Sequence, residues 1–154
     1  MNLHPPAALR NGAHHYPLRV YYEDTDAAGV VYHATYLRFA ERARTEALRD
    51  LGVPHNEMTS QHGLMFMVRR VKVDYLGPAL LDDSLCVITK PFSIRAASVE
   101  LSQRVVRNAE PERTLAELEV WLACIRLADQ RPARLPVRWR NALNGMVQNA
   151  PAGA

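Results

Sequence analysis

Cysteine is scarce here: Cys86 and Cys124 are the only two in 154 residues. Both lie in apolar stretches, so they read as buried free thiols and not as a disulfide framework. There is no CxxC pair and no Cys/His cluster, which argues against a metal site. No window approaches the roughly 18 consecutive apolar residues of a membrane span. The opening MNLHPPAALRNGAHHY lacks the continuous apolar segment of a secretory signal. Like charges never run to five or six in a row. No internal repeat, low-complexity block or glycine-rich phosphate motif is present. These absences point to a soluble intracellular chain in a reducing compartment, the cytoplasm.

What is present suits one folded domain. Apolar residues make up 48% of the chain and the net charge is only +3, so a real core can form. The pI near 9.1 would suit a phosphorylated ligand, an anionic membrane or nucleic acid. Nucleic acid is the weakest of these, because no basic helix, aromatic-interleaved patch or zinc motif supports it. Residues 1–16, with Pro5, Pro6, Gly12 and three histidines, read as a flexible leader. Residues 17–143 read as the domain and 144–154 as a flexible tail.

The first strand candidate is 18–23, LRVYYE. A helix is expected over about 34–51. Its apolar positions Tyr36, Ala40, Ala43, Ala47 and Leu51 step by four, three, four and four, one face of a 3.6-residue turn. Leu37, Phe39 and Leu48 widen that stripe. Gly52 and Pro54 stop the helix, and a short turn or helix follows over 55–61. Arg42 and Glu46 can pair at i,i+4. Strands are expected at 64–76, 85–92, 97–107 and 114–128. The last carries some helical spacing, but Val120, Trp121, Cys124 and Ile125 favour sheet. A short final helix is expected over 136–147. One widely apolar helix between strands needs a sheet to wrap it. The expected architecture is α+β, a five-stranded antiparallel sheet curled around one long central helix, with part of the sheet left for a second copy to cover.

The segment EDTDAAGVVYHATY, 23–36, carries the chemistry. It places Asp24 and Asp26 in a loop just before the long helix. A helix start offers unpaired N–H groups and the positive end of the macrodipole, a place able to polarise a carbonyl. Gly29 lets the backbone turn sharply and approach a ligand. A carboxylate facing backbone donors suits attack on a carbonyl carbon, directly or through a water. An aspartate before a helix also serves as a simple cap, and both aspartates are open to that reading. Glu41, on the expected helix, has a charge that fits pairing with Arg38 or Arg44.

The stretch VYYEDTDAAGVVYHATYLRFAERARTEALRDLG, 20–52, resembles the hotdog acyl-CoA thioesterases related to 4-hydroxybenzoyl-CoA thioesterase, especially the YbgC-type enzymes whose gene accompanies the Tol–Pal envelope system. VRRVKVDYLGPALLDD, 68–83, resembles them too, and the likeness covers about 17–140. It implies the hotdog fold and hydrolysis of an acyl-CoA, with Asp26 as the catalytic carboxylate and Asp24 ordering the loop. It implies that the His33 N–H polarises the thioester carbonyl, with the His33 side chain assisting, and that Val31 and Tyr32 line the acyl or pantetheine channel. Arg95 and Ser98, in SIRAAS, fall where the likeness suggests contact with the nucleotide end of coenzyme A; Arg69 and Arg70 are further candidates. Ala28 stands where relatives often carry glycine. No metal or redox cofactor is implied. The likeness further implies a homo-oligomer, a dimer or tetramer, with Asp26 of one protomer facing Arg95 of its neighbour. A non-catalytic acyl-CoA-binding or scaffold role near Tol–Pal is the alternative, and contact with acyl carrier protein or the inner-membrane surface stays open.

Overall fold

The structure is a computed structural model and describes residues 8–148. Strands β1 (Ala8–Arg10) and β2 (Ala13–Arg19) come first. Helices α1 (Thr35–Asp50) and α2 (His55–His62) follow. Then come β3 (Leu64–Tyr75), β4 (Ser84–Ile94), β5 (Ser98–Arg107) and β6 (Arg113–Arg126), and α3 (Val137–Gln148) closes the chain. The six strands form one antiparallel sheet in the order β1-β2-β4-β5-β6-β3. It curls around α1, which is the hotdog arrangement.

Helix α1 forms where the stripe places it. Tyr36, Phe39, Ala40, Ala43, Ala47 and Leu48 are all buried. The three alanines let the helix axis lie close to the sheet, against Leu85, Val87, Val105, Leu118 and Val120. Burying Phe39 completely contributes about 2–3 kcal/mol, and a leucine at Ala43 would cost about 1–3 kcal/mol by lifting the helix. Gln103, 1% exposed, fastens the two layers. Its Nε2 donates to the Ala40 carbonyl and to Thr89 Oγ1, both at 2.9 Å. Leu37 does not join the stripe and is 41% exposed. Glu46 pairs with Arg49 and not with Arg42.

Strand β6 lies inside the sheet between β5 and β3. Its inward Leu118, Val120 and Leu122 alternate with outward Glu117, Glu119 and Trp121, so the strand period prevails over the helical one.

Three boundaries differ from the sequence expectation. Residues 8–16 are not a leader: they hold β1 and most of β2, a hairpin closed by Asn11 (φ 53°) and Gly12 (φ 78°). Asn-Gly adopts the left-handed conformations that a two-residue hairpin turn requires, and this hairpin supplies the sixth strand. The first long strand spans 13–19 instead of 18–23, because Tyr22–Asp24 forms a single 3-10 turn. The final helix runs on to Gln148, past the expected start of the tail at 144. The rest of the expected leader and tail, 1–7 and 149–154, lies outside the described residues.

Candidate active site

The segment between β2 and α1 is a hairpin pinned at several points. The Asp26 N–H donates to the Val30 carbonyl at 2.9 Å, and the Gly29 N–H returns to the Asp26 carbonyl at 3.0 Å. Gly29 has φ 79°, so only glycine closes this turn without strain. The Val31 N–H donates to Ala79 at 2.9 Å, and Thr25 bridges Val31. The 78–83 segment beneath is itself fixed. Asp83 Oδ2 accepts the Leu80 N–H at 2.8 Å and pairs with Arg107, whose Nη2 also donates to the Pro78 carbonyl at 2.7 Å.

The two aspartates have different surroundings. Asp24 is buried, and its Oδ2 accepts the Tyr21 N–H at 2.8 Å. Its carbonyl accepts the Tyr32 N–H at 3.0 Å. Asp24 therefore orders the loop. Asp26 is exposed. Its Oδ1 accepts the Ala28 N–H at 2.8 Å, while Oδ2 has no hydrogen bond among the described residues. Neither aspartate caps α1. The Ncap residue is Ala34, with no side-chain hydrogen bond to the helix. The N–H groups of His33 and Ala34 likewise have no partner among the described residues. The hairpin thus carries a half-free carboxylate on its outgoing arm and runs, on its return arm, into an uncapped helix start.

An aromatic cluster holds that start in place. Tyr75 Oη donates to the His33 carbonyl at 2.7 Å. This fixes the 33–34 peptide and hence the opposite direction of its Ala34 N–H. The His33 ring lies 4.4 Å from Tyr32 and 6.5 Å from Tyr75, centre to centre. Tyr36 is buried and its hydroxyl accepts the Ala79 N–H at 3.1 Å. Burial pushes the Tyr36 and Tyr75 hydroxyls above their usual range, so both stay protonated at neutral pH. The part played by Tyr75 spans 42 residues of sequence, and no local pattern announces it.

The remaining candidates scatter. Tyr32 is exposed beside His33, but Val31 is 5% exposed and belongs to the core instead of lining an open channel. Arg95 is exposed in the β4–β5 turn, where its N–H donates to the Ser98 carbonyl at 2.9 Å. That turn ends β4, whereas the Asp26 hairpin packs beside the start of β4. An 11-residue strand is up to about 36 Å long, so a single chain does not bring Asp26 and Arg95 together. Arg69 and Arg70 are exposed on the edge strand β3, with Arg70 over the Trp121 ring. Glu41 is exposed on α1 and makes no ion pair within 4 Å among the described residues. Those residues hold no group of three His, Cys, Asp or Glu side chains arranged for a metal.

A half-free carboxylate in a hairpin that leads into free amides at a positive helix end offers the two parts needed to polarise a carbonyl and to attack it, directly or through a water. Sequence comparison agrees with that chemistry. The profile of the thioesterase-like superfamily matches residues 20–144. The chain belongs to that superfamily. It is 48% identical over 126 residues to the acyl-CoA thioester hydrolase YbgC of Escherichia coli O6:H1, covering 79% of this chain and 88% of that protein. It is 43% identical over 121 residues to the acyl-CoA thioesterase YbgC of Haemophilus influenzae, covering 79% and 87%. Among solved structures, it resembles a probable thioesterase from Bartonella henselae, with a TM-score of 0.75, 35% identity, and coverage of 80% and 99%.

Proposed function

We propose that this thioesterase hydrolyses an acyl-CoA thioester to the free acid and coenzyme A. The observation that carries the reading is a hairpin whose Asp26 Oδ2 has no hydrogen bond among the described residues and which runs into a helix start where the His33 and Ala34 N–H groups have none either. The thioester oxygen takes the His33 N–H, which stabilises the negative charge that grows there during attack. Asp26 removes a proton from the water that adds to the carbonyl carbon, or adds to that carbon itself, and a water then cleaves the resulting mixed anhydride to release the acid and free Asp26. The C–S bond breaks, and the coenzyme A thiolate leaves and takes up a proton. Asp24 keeps the hairpin in register, and the His33 ring borders the reacting group. Relatives named as acyl-CoA thioesterases support the substrate class. Because Arg95 and Ser98 lie far from Asp26 in one chain, the nucleotide end of coenzyme A meets them on a second copy, in a dimer or tetramer. We place the enzyme in the cytoplasm.

Thiol release from acyl-CoAs, short aliphatic to long aliphatic and aromatic, by wild type and Asp26→Asn tests this. Wild type should hydrolyse part of the panel, and the variant should lose most of that rate while still folded. Equal rates would make Asp26 structural and bring Glu41 forward. A wild type that binds coenzyme A but releases no thiol would replace catalysis with a binding or scaffold role, including one near Tol–Pal.

A further inference from the structure

Beside α1 runs a cavity of about 370 Å³, walled largely by aliphatic and aromatic side chains such as Leu37, Leu48, Phe66, Val71, Leu101 and Met146. Glu41, Thr45, His55 and Thr89 are polar interruptions of that wall, and so is Arg44. It is half-buried, and its Nη1 donates to Gln103 Oε1 at 3.0 Å. Gln103 is locked by its own bonds to Ala40 and Thr89, so the guanidinium is held at a fixed place. Its hydrogen-bond partner among the described residues, Gln103, is neutral. No carboxylate lies within 4 Å of Arg44 among the described residues. Glu41, one turn back, acts only through its field, offsetting the loss of basicity that burial causes. A half-buried cation with no carboxylate in direct contact is costly, and four of the five guanidinium N–H donors make no hydrogen bond among the described residues. Such a fork is suited to binding a carboxylate by two hydrogen bonds.

The cavity begins one helical turn from the candidate site. Leu37 lies one helical turn beyond His33, and Arg44 lies 11 residues beyond it. That is about 16 Å along the helix axis. The arginine side chain leans back toward the helix start and shortens the gap. We infer that Arg44 selects acyl groups that end in a carboxylate, so the preferred substrates are ω-carboxyacyl-CoA thioesters of medium chain length. The inference rests on the hydrolase reading above and names the substrate class of that same site. Selection of this kind is strong, because an uncharged chain end leaves a desolvated cation unpaired.

The test compares suberoyl-CoA with octanoyl-CoA, which have the same chain length and differ at the far end. Their kcat/KM values are measured for wild type, Arg44→Met and Arg44→Lys, with a thermal melt and sedimentation of each. Wild type should prefer suberoyl-CoA at least tenfold. Arg44→Met should bring the ratio to one or below, and Arg44→Lys should fall between. A wild type that prefers octanoyl-CoA, or a ratio unchanged in Arg44→Met, overturns the inference. So does an Arg44→Met protein that changes its assembly while keeping the ratio, since Arg44 would then be a subunit contact. If neither substrate is hydrolysed, the acyl-CoA panel above judges the hydrolase reading, and titration calorimetry judges the selection by Arg44. Suberoyl-CoA bound at least tenfold tighter than octanoyl-CoA keeps the selection by Arg44; equal binding overturns it.

Discussion

The two ends of α1 are built in opposite ways. At its C-terminal end the last N–H groups are satisfied. The Leu51, Gly52 and Val53 N–H groups return to carbonyls of the last turn, and Gly52 takes the left-handed conformation, φ 79°. Arg138 donates to the Gly52 carbonyl while gripping both oxygens of Glu57, at 2.7 and 2.9 Å. His14, fully buried on β2, donates from Nε2 to Asp50 at 2.7 Å. The N-terminal end has no side-chain cap, carries N–H groups without a partner among the described residues, and is ringed by exposed Tyr32 and Tyr75. A capping serine or aspartate there would add roughly 1 kcal/mol of stability. The chain has none there. One end is closed by its own bonds; the other is open, and the proposed function puts the chemistry there.

This contrast can be broken at either end. The largest effect is expected at the open end. Asp26→Asn should lower kcat by about 100-fold to 10,000-fold, the usual worth of a positioned acid–base group, with an unchanged melting temperature. Thiol release and a thermal melt check both parts. The closed end should respond in the reverse sense. His14→Ala empties a fully buried position beside Asp50 and should cost about 2–3 kcal/mol in urea denaturation, while kcat of the folded protein changes little. Tyr75→Phe tests the support of the open end. It removes one hydrogen bond to the His33 carbonyl, worth about 1 kcal/mol, so kcat should fall roughly fivefold with KM nearly constant.

The smallest expected effect is a pH dependence of stability. Burial, followed by neighbouring arginines, holds the His15 and His55 rings below the ordinary histidine value of 6.5. The unfolded chain then binds more protons than the folded one in mildly acid solution. The stability these neutral rings contribute is present above pH 6.5 and declines as the pH falls through their folded values. Melting temperatures between pH 7.5 and 5.5 should drop, and His55→Gln should flatten the decline.

Much of this was legible in the residues. The spacing of Tyr36, Ala40, Ala43 and Ala47 located α1 to within a residue at each end. The Val71, Val73 and Tyr75 alternation located β3, and β-rich composition placed β6 despite its helical spacing. The β1–β2 hairpin was obscured because Asn11–Gly12 stands among prolines and histidines, which weaken any strand pattern. The site was only half legible. EDTDAAG marks a carboxylate loop before a helix, but only tertiary structure shows that Asp24 is buried and bonded while Asp26 keeps a free oxygen. The Tyr75 bond to His33 and the separation of Arg95 from Asp26 depend on how distant strands pair.

Infrared difference spectroscopy of an acyl-CoA with an isotope-labelled thioester carbonyl, bound to Asp26→Asn, tests the open helix end most directly. The carbonyl stretch should move to lower frequency than in buffer, because the His33 N–H pulls electron density onto the oxygen. A bound thioester whose carbonyl absorbs as it does in water would contradict the account: the free amides at the start of α1 would then not be the groups that polarise it.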